Sequence, residues 1–455
     1  MKKYLPMLRR LFWAACKLVP FWIGLYCYYP AFTVQEGHIY PFLDALYAAI
    51  KLYSGSTDGS VPVGGLLQLA RFWALFVSLS LLVRVFNKMH DLVNWGKLLN
   101  PNATVVYGDS CYADYTFESL EPRSRIRGEG RWIAGAARYL LMFSSDAENL
   151  AFYSRHCEEL RGKRVYIMLD GIARQSIEDP MVTVFSLAEN CARQYWKDYP
   201  VLKSEKIAIL GFDELGQNLL LYGLQMNLID PAQHFEYHIY GSAAEFCREH
   251  TELDKMDPDE IFFHKSGEYQ YAQMAAFDRI ILCGGDKGGG AAEISRLLAA
   301  APLHCPIHVY APSRDIMTSL FGGERLVCFG SAKQAARAEV IFNEEALQAA
   351  RRQHAFYVSQ YGGVPWEKLD AFKRYSNVSS CDYLPTLTRL LAEGMPVEQA
   401  AELEHIRWNR YHYLHNWKYG PETDSAKRIH KCLVPFADLS EEEKRKDIEA
   451  IQSKL

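Results

Sequence analysis

The sequence lacks the patterns on which several classes of function depend. Its eleven cysteines occur singly, with no C-x-x-C pair, so neither a zinc site nor a disulfide framework is predicted. Positive charge is not in excess, since 50 Lys and Arg face 54 Asp and Glu, and we expect no nucleic-acid partner. A nucleophile elbow, an H-E-x-x-H helix, a Walker loop and a kinase signature are also missing. We therefore expect no enzyme, no catalytic residue and no metal site.

Apolar and aromatic residues are instead concentrated in the first ninety positions. Residues 11–29 and 66–86 are each about as long as the ~20 residues that a helix needs to cross a bilayer. Basic residues flank both outer ends, which places both termini in the cytoplasm by the positive-inside rule. A cleaved signal peptide is the alternative for the first segment, but no small-residue cleavage site follows it. The sequence predicts a transmembrane module over residues 1–90.

A short helix and a polar loop are predicted between these two segments. Apolar residues three and four apart over 42–53 indicate a one-sided helix that is too short to span. The loop behind it offers carbonyl and hydroxyl oxygens as candidate pore ligands: Ser54, Gly55, Ser56, Thr57, Asp58 and Gly59. The order of span, short helix, loop and span resembles a two-span potassium-channel-like module in which residues 40–60 are re-entrant. No T-V-G-Y-G is present, so the ion stays open, and a plain extracytoplasmic loop is the alternative.

Strand and helix patterns alternate after this module and predict an α/β fold with two Rossmann-like parallel-sheet halves, residues 91–200 and 201–345. Strands are expected at 103–107, 138–143 and 164–169 in the first half, and at 206–210 and 235–240 in the second. The segment 122–135 is too short for a complete βα unit, so the first half is expected to be abbreviated.

The turn after residue 210 departs from the dinucleotide-binding fingerprint. Gly211 and Gly216 occupy its first and third glycine positions, but the middle position is Asp213. A carboxylate there repels phosphate, and the next strand ends at Gly241 without an acidic residue for a ribose. NAD binding in the usual place is therefore disfavoured, and an NAD-dependent redox regulator is only the third hypothesis.

Tandem Rossmann-like halves behind a two-span module resemble the regulator-of-potassium-conductance arrangement of ligand-gated bacterial channels. That resemblance implies a homo-oligomer, taken as a tetramer, in which a ring of cytoplasmic domains moves the pore helices when a ligand binds.

The C-terminal segment carries the most specific motif. Residues 401–420 read AELEHIRWNRYHYLHNWKYG, and LVPFADLSEEEKRKD follows at 433–447. The spacing resembles the ryanodine receptor repeat (RyR) domain, and we assign residues 346–455 to a small, mostly helical domain of that type. Its flat rings suit a nucleotide base and its cations suit phosphate. The candidate ligand-binding residues are Glu404, His405, Arg407, Trp408, Trp417, Lys418, Tyr419 and Arg428.

The leading hypothesis is a ligand-gated homo-oligomeric cation channel of the bacterial inner membrane. Its expected partners are membrane lipid, further copies of itself and a nucleotide or nucleotide-derived messenger, with no certain cofactor. A stress or phage-defence response is the implied setting. The alternative is a membrane-anchored nucleotide-sensing protein without a pore.

Overall fold

The computed structural model describes residues 5–35, 37–172, 176, 177, 179–284, 289–300, 302–312, 320, 321 and 324–452. The chain divides into two compact units, Met1–Leu99 and Asn100–Leu455.

Helices are the regular secondary structure of the first unit over its described residues. It consists of α1 (Leu5–Val34), α2 (Pro41–Lys51), a 3-10 turn (Leu52–Ser54) and α3 (Gly65–Leu98). The short helix predicted over 42–53 is confirmed. Small residues let the helices approach closely, and the core combines alanines with two rings, Tyr28 and Phe32. Among the described residues, one helical segment, Gly65–Val83, is long and apolar enough to cross a membrane, and 22% of it is buried. A single such segment is weak support for a membrane location.

The first half of the second unit is a five-stranded parallel sheet in the order β2-β1-β3-β4-β5. Its strands are β1 (Thr104–Tyr107), β2 (Arg125–Gly128), β3 (Arg138–Leu141), β4 (Arg164–Met168) and β5 (Val182–Phe185). Its helices are α4 (Cys111–Ser119), α5 (Asp146–Arg155), α6 (Cys157–Leu160) and α7 (Leu187–Asp198). The segment 122–135, which is too short for a complete βα unit, supplies the edge strand β2. The loop to β3 follows β2 directly.

The second half is a six-stranded parallel sheet in the order β11-β10-β9-β6-β7-β8. This is the doubly wound order of a Rossmann fold. Its strands are β6 (Lys206–Leu210), β7 (Glu236–Tyr240), β8 (Glu260–His264), β9 (Arg279–Leu282), β10 (Ile307–Tyr310) and β11 (Leu326–Phe329). Its helices in the described part of the chain include α8 (Glu214–Met226), α9 (Ala244–Glu249) and α10 (Gly289–Ala300). The prediction of two Rossmann-like halves is confirmed.

Helices that follow one sheet along the chain pack against the other half. Helix α7, which follows the first sheet, packs on α8 and places Tyr195 and Trp196 in the core of the second half. Two short helices that follow the second sheet, α11 (Ala332–Ala335) and α12 (Ala338–Phe342), return to the first half. There Thr116 donates to the Ala336 carbonyl at 2.6 Å. The junction is therefore shared core rather than a loose contact.

The C-terminal region is helical. It comprises α13 (Glu344–Tyr361), α14 (Ala371–Ala392), α15 (Val397–Leu414) and α16 (Glu441–Gln452), with a small ladder between β12 (Lys418–Tyr419) and β13 (Ile429–His430). Asp370 caps α14 through the Lys373 N–H, at 2.8 Å. Ser440 caps α16 through the Glu443 N–H, at 3.3 Å, as the sequence predicts.

Candidate functional site

Helix α15 carries most of the C-terminal motif and is buried on nearly every side. Its apolar residues Ala400, Ala401, Leu403 and Leu414 join one continuous core with α8 of the second half. Polar residues on the same helix are buried as well, so each must find a partner inside the protein.

Glu404 and Arg407 form a bidentate pair on the face of α15 that packs against α14. The Arg407 Nε donates to Glu404 at 2.8 Å, and a second guanidinium nitrogen donates to the same carboxylate at 3.1 Å. Two serines of α14 complete the pair: Ser380 donates to Glu404 at 2.5 Å, and Ser379 accepts from Arg407 at 3.0 Å. Arg407 is 1% exposed. Its charge is therefore neutralised inside the protein and serves to join two helices.

Arg410 lies one turn further along α15 and reaches into the second half. It donates to the Asp259 carboxylate at 2.6 Å and to the carbonyls of Leu224 and Met256 at 2.9 and 2.8 Å. Both charged side chains are essentially fully buried. Asp259 also accepts from the Phe235 N–H, just before β7. This ion pair fixes α15 to the strand-preceding loops of the second sheet.

His405 and Asn409 hold the loop that contains the L-V-P-F motif. Both donate to the Val434 carbonyl, each at 2.9 Å. The other ring nitrogen of His405 lies 3.3 Å from the Asp447 carboxylate on α16. The order of the motif along the chain thus corresponds to one connected set of contacts between α15, the loop and α16.

A cluster of rings lies beneath the C-terminal ladder. The Trp417 ring stacks on Phe372 with centroids 5.0 Å apart, and Trp408 packs on His412 at 3.9 Å. Burial lowers the pKa of His412 to about 3 and that of His415 to about 4. Both rings are therefore neutral near pH 7 and act as packed aromatic groups.

Four of the eight predicted ligand-binding residues reach the surface of this region. Trp408 is half-buried and lies edge-on to His430, with centroids 4.9 Å apart, while Lys418, Tyr419 and Arg428 are exposed. Arg428 donates to the His415 carbonyl at 3.0 Å, and Lys418 lies 3.1 Å from Glu252. The ladder register places Tyr419 opposite His430. His430 therefore contacts the half-buried indole and pairs with the strand residue that carries the exposed Tyr419 ring.

The comparisons with known proteins identify one part of the chain. Residues 386–455 match the family model of the RyR domain. No curated protein and no solved structure matches the chain.

The predicted site residues of the RyR domain form a buried group and a group at the surface. Glu404, His405, Arg407 and Trp417 form an inner layer, in which the charged and imidazole groups bond to the protein itself. Trp408 connects this layer to the surface, where Lys418, Tyr419 and Arg428 lie. The role of all eight as ligand contacts stays a prediction, and the geometry favours the outer group.

The Rossmann turn adopts the expected local structure. Gly211 has a φ of +96°, and a Cβ on Gly216 would lie 2.3 Å from the Gly211 carbonyl oxygen, so both positions require glycine. Asp213 caps α8 by accepting from the Gly216 N–H at 3.3 Å. A carboxylate thus already occupies the helix N-terminus at which a dinucleotide phosphate would bind.

The predicted pore loop is held by both long helices of the first unit. The Arg71 Nε on α3 donates to the Gly55 carbonyl at 3.0 Å, and Tyr28 on α1 accepts from the Asp58 N–H at 3.3 Å. Within the loop, Ser60 donates to the Asp58 carboxylate from both its N–H and its hydroxyl. Ser54 and Ser56 are joined through their hydroxyls at 3.0 Å, while Thr57 is half-buried and Gly59 exposed.

Sequence reasoning misses an acidic group at the junction of the halves. Glu214, the first residue of α8, accepts from the Ser186 hydroxyl at 2.5 Å. Burial, together with the nearby Asp170 and Asp146 carboxylates, raises the pKa of Glu214 to about 7. These acids all follow strand ends, and their position at the carboxyl edges of parallel strands is the signal that could have grouped them.

A cleft lined by both cations and acids is also not predicted from the sequence. It has a volume of about 730 Å³ and lies between the first half, α7 and α14. Its cations come from β3, α7 and α14, and its acids include residues of the segment that follows the second sheet: the cations are Arg138, Arg193, Lys197 and Arg389, and the acids include Glu339, Glu344 and Glu345. The cations of α7 are far from the acids along the chain, so no local pattern connects them.

Proposed function

We propose that this protein is a ligand-gated, homo-oligomeric cation channel of the bacterial inner membrane, with both termini in the cytoplasm. A nucleotide-like ligand acts at the RyR domain, and the proposal includes no catalytic step. The observation that carries it is the burial of α15 in the second Rossmann half. Arg407 and Arg410 commit their charges to α14 and to the Asp259 loop. A ligand that displaces α15 therefore has to displace the second half as well.

Contacts in the first unit support the pore part of the proposal. The loop after α2 is joined to α3 through Arg71, and Ser78 of α3 donates to the Tyr53 carbonyl at 2.6 Å. Helix α3 ends at Leu98, shortly before β1 begins at Thr104. A shift in the first half would thus be transmitted along the chain to the helix that holds the loop.

The chemistry of the exposed RyR surface supports the choice of ligand. Tyr419 and Trp408 offer faces for stacking on a base, while Lys418 and Arg428 can hold phosphate oxygens. A stress or phage-defence response that depolarises the cell is the setting we propose.

Planar-bilayer recording of the purified full-length protein tests the proposal. Current should depend on an added nucleotide or cyclic nucleotide, and Tyr419→Ala and Arg428→Ala should each require a higher ligand concentration. Lys265→Ala is the matched control, because it removes an exposed cation outside the RyR domain. Absence of current with every nucleotide tested would remove the channel hypothesis.

Selectivity gives a second test. Asp58→Asn should lower the permeability of cations relative to chloride, because an assembly of copies would lose one negative charge per subunit at the loop. Ser60→Ala is the control, since it removes a hydroxyl bond to Asp58 but keeps the carboxylate. Reversal potentials in asymmetric KCl measure the effect. Equal reversal potentials for Asp58→Asn and the parent would place Asp58 outside the conduction path.

A membrane-anchored nucleotide-binding protein without a pore is the second candidate. It is favoured by the Arg71 guanidinium at Gly55, because a positive charge at the loop opposes cation entry. Reagent accessibility distinguishes the two. A cysteine introduced by Ser56→Cys should react slowly with an external thiol reagent inside a pore vestibule and rapidly on a loose outer loop.

A further inference from the structure

The outer edge of the second sheet is formed by β8, whose five residues are Glu260, Ile261, Phe262, Phe263 and His264. Of the described strands, β7 alone pairs with it. Glu260 donates its N–H to the Phe235 carbonyl, and the His264 carbonyl accepts from the Gly241 N–H. In a parallel ladder, even-numbered residues of β8 therefore bond to β7, and Ile261 and Phe263 direct their N–H and C=O outwards.

This edge lacks most of the features that normally protect a sheet edge, and the exposed carboxylate of Glu260 is the exception. It has no lysine, proline or glycine, and its two phenylalanines are each 36% exposed. Among the described residues, no group bonds the backbone of Ile261 or Phe263 on the open side. Such an edge readily pairs with another strand.

Two copies of β8 have complementary sequences when they run antiparallel to each other. In an antiparallel pair centred on Phe262, Ile261 lies opposite Phe263 of the second copy, and Glu260 lies opposite its His264. Ile261 and Phe263 would then exchange N–H···O=C bonds on both sides of the centre, which is what an antiparallel ladder requires of its hydrogen-bonded pairs. The Glu260 and His264 side chains would then face each other at both ends of the pair.

The side chains are already arranged for this pairing. Phe262 and His264 lie on the same face of β8, where the His238 ring stacks on Phe262 with centroids 4.6 Å apart. His238 also lies within hydrogen-bond distance of His264, at 3.1 Å between ring nitrogens. The opposite face presents Phe263, which packs against Phe212 and Phe246. Both faces of the edge are thus ordered before a partner arrives.

We propose that β8 is a self-association edge, at which two copies of this chain join their second sheets through an antiparallel β8–β8 pair with two-fold symmetry. The inference rests on the self-association in the proposed function but not on conduction. A strand from a different protein is the other possible occupant of this edge.

A single cysteine tests the register. In the proposed pair, the two copies of residue 262 face each other as a non-hydrogen-bonded pair with Cα atoms about 4.5 Å apart, within the range of a disulfide. Phe262→Cys in the full-length protein should therefore give a disulfide-linked dimer on mild oxidation, with the linked peptide identified by mass spectrometry. Phe263→Cys is the matched control: it is equally exposed, but its two copies would be more than about 7 Å apart and should not link.

A charge exchange tests the same pair without new covalent chemistry. His264→Glu alone should weaken association roughly tenfold, because Glu260 then faces a second carboxylate at both ends of the pair. Adding Glu260→Lys to His264→Glu should restore association, since a cation at position 260 then opposes an anion at position 264 across the two-fold axis. The two positions lie four residues apart on one strand, too far to compensate within one chain.

The outcomes separate this inference from the proposed function. An oligomer that forms without a 262–262 link, and is unaffected by the charge exchange, would overturn the β8 edge and leave the channel hypothesis standing. A chain that is monomeric at all concentrations by light scattering would overturn both.

Discussion

At the scale of single residues, burial rather than sequence decides which groups are charged. Nothing in the sequence distinguishes Glu214 from other glutamates, yet burial, together with the nearby Asp170 carboxylate, raises its pKa from 4.5 to about 7. The pKa values of His412 and His415 are instead lowered by burial, and their neutral rings pack with tryptophan and tyrosine.

The shift at Glu214 predicts a pH-dependent stability. Between pH 4.5 and 7 the folded protein keeps a proton that the unfolded chain releases, so stability should fall as the pH rises through this range. Glu214→Gln should remove the part of the unfolding free energy that changes with pH in this range. We expect that part to be about 1 kcal/mol, because solvent screens the half-buried group. Thermal unfolding of the parent and variant at a series of pH values measures it.

A second variant checks the assignment. Ser186→Ala removes a hydrogen bond that favours the charged carboxylate, so it should raise the pKa of Glu214 further. The decrease in stability with rising pH should then continue to a higher pH. If the parent and Glu214→Gln show the same pH dependence, the titrating group is a different one.

At the scale of elements, two arginines one turn apart decide where α15 lies. Arg407 joins it to α14, and Arg410 joins it to the loop before β8. The E-H-x-R-W-N motif is therefore as much a packing motif as a candidate binding motif. The surface chemistry comes from the ladder residues that follow it, Lys418 and Tyr419, and from Arg428.

Breaking the deeper ion pair should loosen α15. Arg410→Met leaves the Asp259 carboxylate buried without its cation, and we expect a loss of about 3–5 kcal/mol. Chemical denaturation of the full-length protein measures the loss. The double variant Arg410→Met with Asp259→Leu should recover a large part of it, because no buried charge then remains unpaired. A double variant that is less stable than Arg410→Met would show that the polar bonds of Asp259 matter more than the pairing.

At the scale of the whole molecule, the RyR domain and the second Rossmann half form one core. Tyr383 and Leu387 of α14 and Leu403 of α15 are packed with Leu219 and Leu224 of α8. Helix α7 and the short helices α11 and α12 join the two halves in the same way. Residues 100–455 thus form one continuous body.

This shared core predicts which truncations are tolerated. Deleting residues 371–455 removes α14, α15 and α16 and exposes the apolar face of α8, so the product should aggregate or bind a hydrophobic dye. Deleting residues 1–99 removes the other compact unit and should leave residues 100–455 folded. Circular dichroism and dye binding compare the two. A soluble, cooperatively folding 1–370 product would contradict the shared core.

Local patterns determined much of the architecture in advance. Short apolar runs predict β1, β3, β4, β6 and β7 to within a few residues, because parallel strands are buried on both faces. Ser440 marks a helix start, since its side chain can satisfy an N–H group that the helix leaves free. The RyR motif is recognisable because many unusual residue types recur at fixed spacing.

Tertiary structure alone decided the rest. Arg410 and Asp259 are 151 residues apart, and nothing near either one indicates that they meet in the core. The sequence shows that Arg407 and Glu404 can pair on a helix, but only the packing of α14 over them makes that pair internal. The open edge of β8 likewise depends on strand order. The sequence by itself determined elements such as β1, β6 and the start of α16, because those preferences arise from neighbouring residues, whereas charge burial and free edges arise from contacts between distant segments.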